Sequence, residues 1–190
     1  MADQASLRAR VVALVLPSVS TTSAEIDTAL LAGFITLDKW HPRRIEESLT
    51  LSDGEYDLTG LASWEAGFSR LSGLEYPLDD VPVSRLPVVS WRVNLSDGLI
   101  VQYGGTLAIR AEYTAKNTVP TLTDSKAESL ALLGAADLMS SWASKWTQHE
   151  SVAVAGEDHQ GPSPDNARRL AKELTARARA TMPRVVFTAG

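Results

Sequence analysis

A chain of 190 residues, 44% of them apolar and with a net charge of −5, has room for one sizeable core and a smaller satellite. The acid excess argues against a surface that binds nucleic acid or an anionic membrane as a whole, while leaving room for a local basic face. With no cysteine there is no disulfide and no thiolate metal site, which suits a reducing cytoplasm. No apolar run reaches the roughly 18 residues of a membrane helix, so no span is expected. The most apolar part of the N-terminus holds Arg8 and Arg10 and leads to no clean cleavage site, so no signal peptide is expected.

Leu7, Val11, Leu14 and Val15 share one helical face, which predicts a first helix over residues 3–15, stopped by Pro17. Thr22 and Glu25 then form a capping box. Ile26, Leu30, Gly33, Phe34 and Leu37 continue the helical period to Trp40-His41-Pro42, where proline disfavours helix in the residue before it.

The middle of the chain reads as strand. Ile45, Glu47, Leu49 and Leu51 alternate, and Ser52-Asp53-Gly54 predicts a hairpin to a following strand. Leu58, Leu61, Trp64, Phe68, Leu71 and Leu74 are interleaved with Gly60, Gly67 and Gly73, which predicts irregular chain with a short strand. Pro77, Pro82 and Pro87 remove ladder donors, so the segment around Tyr76, Val81, Asp79 and Asp80 reads as a loop or edge strand. Residues 88–93, 99–101 and 107–113 are rich in β-branched and aromatic side chains. The turns between them, at Asn94 to Gly98 and at Gly104-Gly105, predict an antiparallel hairpin or meander.

The longest helical pattern covers residues 123–149, with Ser125-Lys126-Ala127-Glu128 as its capping box. Small residues at Ala131, Gly134, Ala135 and Ala136 make its first half apolar nearly all round, which places it in the core or against another subunit. Trp142 and Trp146, one turn apart, can stack. Residues 149–162 read as a loop. Ser163-Pro164 opens a last helix, with Ala167, Leu170, Ala171, Leu174 and Ala178 on one side and Arg168, Lys172, Thr175 and Arg179 on the other. Arg169, Arg177 and Arg184 lie nearby. The end, Pro183 to Gly190, is an apolar tail containing Val185-Val186-Phe187, of a kind that adds itself to a neighbour's surface.

The fold class that emerges is α+β: a helical bundle of two N-terminal and two C-terminal helices with a large antiparallel β insert. Its expected parts are N-terminal helices in 1–42, the insert in 43–120, C-terminal helices in 121–182 packing on the first pair, and a tail in 183–190.

Motifs for chemistry are sparse. His41, His149 and His159 have no nucleophile beside them in any recognisable pattern, and no glycine-rich phosphate loop or Gly-x-Ser-x-Gly occurs. Asp53, Glu55 and Asp57, or Asp79 with Asp80, could offer oxygen ligands to a hard cation, but turn-forming aspartates explain both groups. The basic side of the last helix fits a solvated face, an acidic protein partner or phosphates.

The order Leu74-Glu75-Tyr76-Pro77, Val81-Pro82, Leu86, Trp91-Arg92-Val93 and Ile109 to Thr114, followed by an alanine-rich helix, a polar loop and an arginine-rich helix, resembles the head-tail connector (adaptor) proteins of long-tailed bacteriophages and related gene transfer agents. The likeness covers most of the chain, which departs from the compact all-helical members in its large strand-rich insert.

The resemblance implies a structural virion protein with no catalytic activity, no cofactor and no membrane partner. It would form a ring, twelve-fold by analogy, between portal and tail around a channel through which DNA passes non-specifically. Arg168, Arg169, Lys172, Arg179, Arg184, Val185, Val186 and Phe187 would meet the portal, and Tyr76, Pro77, Val81, Pro82, Trp142 and Trp146 would lie between subunits. A tail terminator or head-completion protein would be the other partner. The place implied is the neck of the virion, after assembly in the host cytoplasm. Alternatives are a tail-completion or decoration protein, or a small binding module or metal-dependent hydrolase using the acidic turns.

Overall fold

The computed structural model describes residues 3–17, 19–51, 55–75, 91–94, 98–102, 107–150 and 163–182. Contacts divide the chain into a helical unit, Met1–Trp40 with Asn117–Gly190, and an inserted unit, His41–Lys116.

The helical unit is built from local signals. In α1 (Gln4–Leu14), the Asp3 carboxylate accepts from Ser6 N at 2.6 Å, and Ser6 Oγ accepts from Asp3 N at 3.3 Å. The two ends of this box satisfy donors that the first turn leaves open. In α2 (Ser23–Trp40), Thr22 and Glu25 form the predicted box, with Glu25 N donating to Thr22 Oγ1 at 3.2 Å and Thr22 N donating to Glu25 Oε2 at 3.0 Å. For α4 (Pro164–Thr181), Ser163 Oγ accepts from Asn166 N at 3.3 Å and Pro164 occupies the first helical position.

The start of α3 (Asp124–Glu150) differs from the prediction. Thr123 is the cap, its Oγ1 accepting from Lys126 N at 3.4 Å, while Ser125 lies inside the first turn with its hydroxyl 3.2 Å from that of Thr123. The helix ends at Glu150, one residue past the predicted end at His149.

Helices α1, α2 and α4 all pack on α3. Its residues Ala127, Leu130, Ala131, Leu132, Leu133, Ala135, Ala136 and Met139 are buried, as are Leu7 and Val11 of α1, Leu30 and Leu37 of α2, and Ala167, Leu174 and Ala178 of α4. Helices α2 and α3 meet closely at two glycines. A Cβ on Gly33 would stand 3.0 Å from Leu130 Cδ1 and 3.4 Å from Gly134 N, and a Cβ on Gly134 would stand 3.3 Å from both Leu30 Cδ2 and Val11 Cγ2. The small-residue face of α3 is therefore filled by Val11 and Leu30 of its own chain. That rules out surplus apolar surface along this stretch for another subunit to cover.

In the inserted unit, β1 (Arg43–Leu51), β6 (Leu107–Ala115) and β3 (Leu71–Glu75) form one antiparallel sheet in the order β1-β6-β3. β2 (Glu55–Asp57), β5 (Gly98–Gln102) and β4 (Trp91–Asn94) form a second, in the order β2-β5-β4. On either side of the predicted turn at residues 94–98, β4 and β5 pair antiparallel with Asn94 opposite Gly98, and the residues of the turn between them lie outside the described residues. The predicted pairing of β1 with β2 is not found among the described residues. β1 pairs over its whole length with β6, from Arg43 opposite Ala115 to Leu51 opposite Leu107, and β2 pairs with β5. Strands of equal length and matched alternation outweigh the local turn signal, because each added pair buries another side chain on the inner face.

Along β6 the alternation is regular, with Ile109, Ala111 and Tyr113 buried beside Leu49, Leu58, Leu61 and Leu74. The glycine-interleaved stretch covers this core. It opens with a 3-10 turn, Leu58–Gly60, where the Asp57 carboxylate accepts from Thr59 N at 2.8 Å, and continues through Trp64, whose ring lies 5.7 Å from that of Tyr113. Gly67 has a φ of 78°, the left-handed region that glycine enters without a Cβ clash. The turns at Ser52-Asp53-Gly54 and Gly104-Gly105 lie outside the described residues.

Candidate binding surfaces

The polar side of α4 carries Arg168, Lys172, Thr175 and Arg179 at helical spacings of four, three and four, so all point the same way. With Ala171 and Ala176, and with Ser140 and Ser144 of α3, they line a groove of about 620 Å³. Two of the cations are held in place. Arg168 Nη1 donates to the Asp165 carboxylate at 3.1 Å and its Nη2 to Thr147 Oγ1 at 2.7 Å. The guanidinium of Arg179 lies over the Trp40 ring, 4.6 Å from its centroid. Lys172 makes no hydrogen bond or ion pair among the described residues. Arg169 is also exposed and does not line the groove, although it stands on the same side of the helix as Ala176, seven residues on, which does, so three of the four α4 cations expected at the portal line the groove and the fourth borders it. Arg184, Val185, Val186 and Phe187 lie outside the described residues.

On the far part of α3, the rings of Trp142 and Trp146 sit 5.5 Å apart at 45°. Both are half-buried. Trp142 also lines a cleft of about 310 Å³ with Val19, Ala24, Leu138 and Lys145. At its rim, Lys145 Nζ donates to Glu25 Oε1 at 3.0 Å. That bond and those from Thr22 hold the Glu25 carboxyl down at about 2, the backbone bond from Thr22 being the largest cause. Tyr76, Pro77, Val81 and Pro82, the other residues expected between subunits, lie outside the described residues.

A further cleft of about 200 Å³ is bordered by Ala32, Gly33, Thr36, Leu133, Ala136, Asp137, Ser140 and Thr175. Loss of water contact there pushes the Asp137 carboxyl above its ordinary value.

One surface went unmarked in the sequence. Leu31 and Ile35, one turn apart on α2, are 65% and 59% exposed, and Val12 on α1 is 52% exposed. The signal was the doubling of apolar residues at Leu30-Leu31 and Phe34-Ile35. Neighbours 100° apart on a helix cannot all face one core.

Among the described residues no three His, Asp or Glu side chains gather as a metal site would. Asp57 is committed to its turn, while Asp53, Asp79, Asp80 and His159 lie outside the described residues. Among the described residues, too, no helix is long and apolar enough to cross a membrane. No protein-family model matches the chain, and no curated protein matches it.

Proposed function

We propose that this chain is a structural, ring-forming connector of a phage-type virion, standing between portal and tail. The observation that carries the proposal is the exposed Leu31 and Ile35 pair on the side of α2 opposite its buried face of Ile26, Ala29, Leu30, Gly33 and Leu37. Covering a Leu or Ile side chain is worth about 1.5–3 kcal/mol, so a patch of this kind favours a second protein surface over water. Head-to-tail contacts between identical copies close into a ring when the rotation allows it. The resemblance in strand order and in the two C-terminal helices supports the same reading and suggests twelve copies around a DNA channel. In this arrangement the α2 face meets the neighbouring copy, and the basic side of α4 with the terminal tail faces the portal.

The test is electron microscopy and light scattering of the full chain, alone and with portal particles, beside the Leu31→Glu/Ile35→Glu double variant. Wild-type rings and a folded, ring-deficient double variant are expected. A wild-type protein that stays monomeric even on portal particles would overturn the connector reading, and rings that survive the double substitution would remove the α2 face from it.

A further inference from the structure

The geometry points to an acidic helical segment of a partner protein as the occupant of the groove between α3 and α4. The inference rests on the connector reading for the partner's place in the virion, but not for the chemistry of the seat.

Charge comes first. Helix α4 carries Arg168, Arg169, Lys172, Arg177 and Arg179 against Asp165 and Glu173, in a chain whose net charge is −5. The basic side is therefore an island on an acidic molecule. A duplex or any long polyanion would be repelled wherever it ran beyond that island, whereas a short segment can place all its acids within it.

Shape narrows the occupant. From Arg168 to Arg179 is about 16 Å along the helix axis, three turns, at 1.5 Å per residue. The residues between these cations are Ala171, Ala176 and Thr175, faced by Ser140 and Ser144. Small side chains on both helices leave space for another helix to lie close, with cations along the rim to meet its carboxylates. Planar guanidinium groups favour carboxylate partners through paired N–H donors.

The seat is also organised in advance. Arg168 is fixed by Asp165 and Thr147, and Arg179 by the Trp40 ring, so less side-chain freedom remains to be lost on binding. Lys172, between them in sequence, makes no hydrogen bond or ion pair among the described residues, and Arg179 faces a ring rather than a carboxylate, so both charges are open to an acidic partner.

The experiment measures fluorescence anisotropy of a labelled, end-blocked alanine-based peptide about 16 residues long, with glutamates spaced to match the cations, against the full chain. A glutamine-substituted twin and a short random-sequence DNA duplex serve as the other probes. The expected result is that the glutamate peptide binds at least about ten-fold more tightly than either, and that Lys172→Glu weakens it by about ten-fold. Lys172→Gln, a neutral change at an exposed position, should weaken it to a smaller degree in a protein with unchanged melting. Arg177→Glu, on the side of α4 opposite Arg168, Lys172 and Arg179, should shift it by less than about two-fold. Equal binding of glutamate and glutamine peptides, tighter binding of the duplex, or a loss in the Arg177 variant equal to that in Lys172→Glu would each overturn the groove as an acidic-helix seat. Ring assembly is scored separately by microscopy. Rings with no peptide binding sink the groove alone, and peptide binding without rings sinks the connector reading alone.

Discussion

One carboxylate oxygen of Asp38 accepts two hydrogen bonds from Asn117, which stands 79 positions further along the chain: from the backbone N at 2.8 Å and from Nδ2 at 2.7 Å. Both residues are buried. Lys126 Nζ in turn donates to Asn117 Oδ1 at 2.8 Å. The end of α2, the point where the chain rejoins the helical unit and the first turn of α3 are thus tied by one polar chain. The inserted unit occupies the sequence between Asp38 and Asn117, so this pair closes its long loop inside the helical core.

Asp38→Ala should therefore be among the costly substitutions of the helical unit. It removes the acceptor of two buried hydrogen bonds from Asn117, a loss of about 2–4 kcal/mol. Asp38→Asn keeps an acceptor oxygen and should cost less. Urea unfolding of the full chain, followed by far-ultraviolet circular dichroism, measures both. A loss in Asp38→Ala below about 0.5 kcal/mol would mean that water or a shifted side chain satisfies Asn117.

The crossing of α2 and α3 predicts opposite tolerance at two glycines. Gly33→Ala would press a methyl against Leu130, itself fully buried, and against the α3 backbone, so it should destabilise by about 1–2 kcal/mol despite alanine's better helix propensity. Gly134→Ala meets two side-chain methyl groups at 3.3 Å and the Leu30 Cα at an ordinary 3.7 Å, and its propensity gain of about 1 kcal/mol should leave it near neutral. Thermal melts of the two variants decide the matter, and a Gly33→Ala protein as stable as wild type would show that Leu130 can move aside.

In the inserted unit, the Tyr113 hydroxyl donates to the Glu47 carboxylate at 2.9 Å and accepts from Ser63 N at 3.3 Å. Burial, followed by the neighbouring Glu47, raises the phenol's pKa above its ordinary value, so it stays a neutral donor across the working range. Tyr113→Phe keeps the ring contact with Trp64 and removes both bonds, which should cost about 1 kcal/mol or slightly more. The readout is the tryptophan fluorescence transition in urea, and an unchanged midpoint would count against a structural role for the hydroxyl.

The helices were legible because their signals are local. Thr22 with Glu25, and Ser163 with Pro164, announce starts that the structure places within one residue. The cap of α3 lies two positions earlier than expected because Thr123 and Ser125 both offer hydroxyls, and the bonds from Ala127 N to Thr123 O and from Lys126 N to Thr123 Oγ1 distinguish them only in the folded chain. The spacing of Arg168, Lys172 and Arg179 revealed their common side, yet nothing in it revealed that Trp40, from the other end of the helical unit's sequence, would anchor Arg179. Strand partners were the least legible element. Residues 43–51 alternate clearly, but their match to residues 107–115 is a long-range fact that a nearby turn signal can mask. The small residues of α3 suit a core or a subunit contact equally well, and only the side chains of Val11 and Leu30 filling the space decide for the core.

Acid should weaken the start of α2. Glu25 holds its proton at about 2 in the folded chain, against 4.5 for an unperturbed glutamate, because Thr22 and Lys145 bond to the charged form. A lowered folded value means that the unfolded chain takes up the proton first. The stabilisation is therefore complete above about 4.5 and fades as pH falls toward about 2, where both states are protonated. Glu25→Gln removes this dependence, so the difference in melting temperature between wild type and variant should be largest near neutral pH and shrink through that acid window. Because the carboxylate is exposed, added salt should shrink the difference at neutral pH as well. Melts from pH 6 to pH 2 at low and high ionic strength test both statements, and a difference that stays constant down to the lowest pH would show that Glu25 is held by shape rather than by its charge.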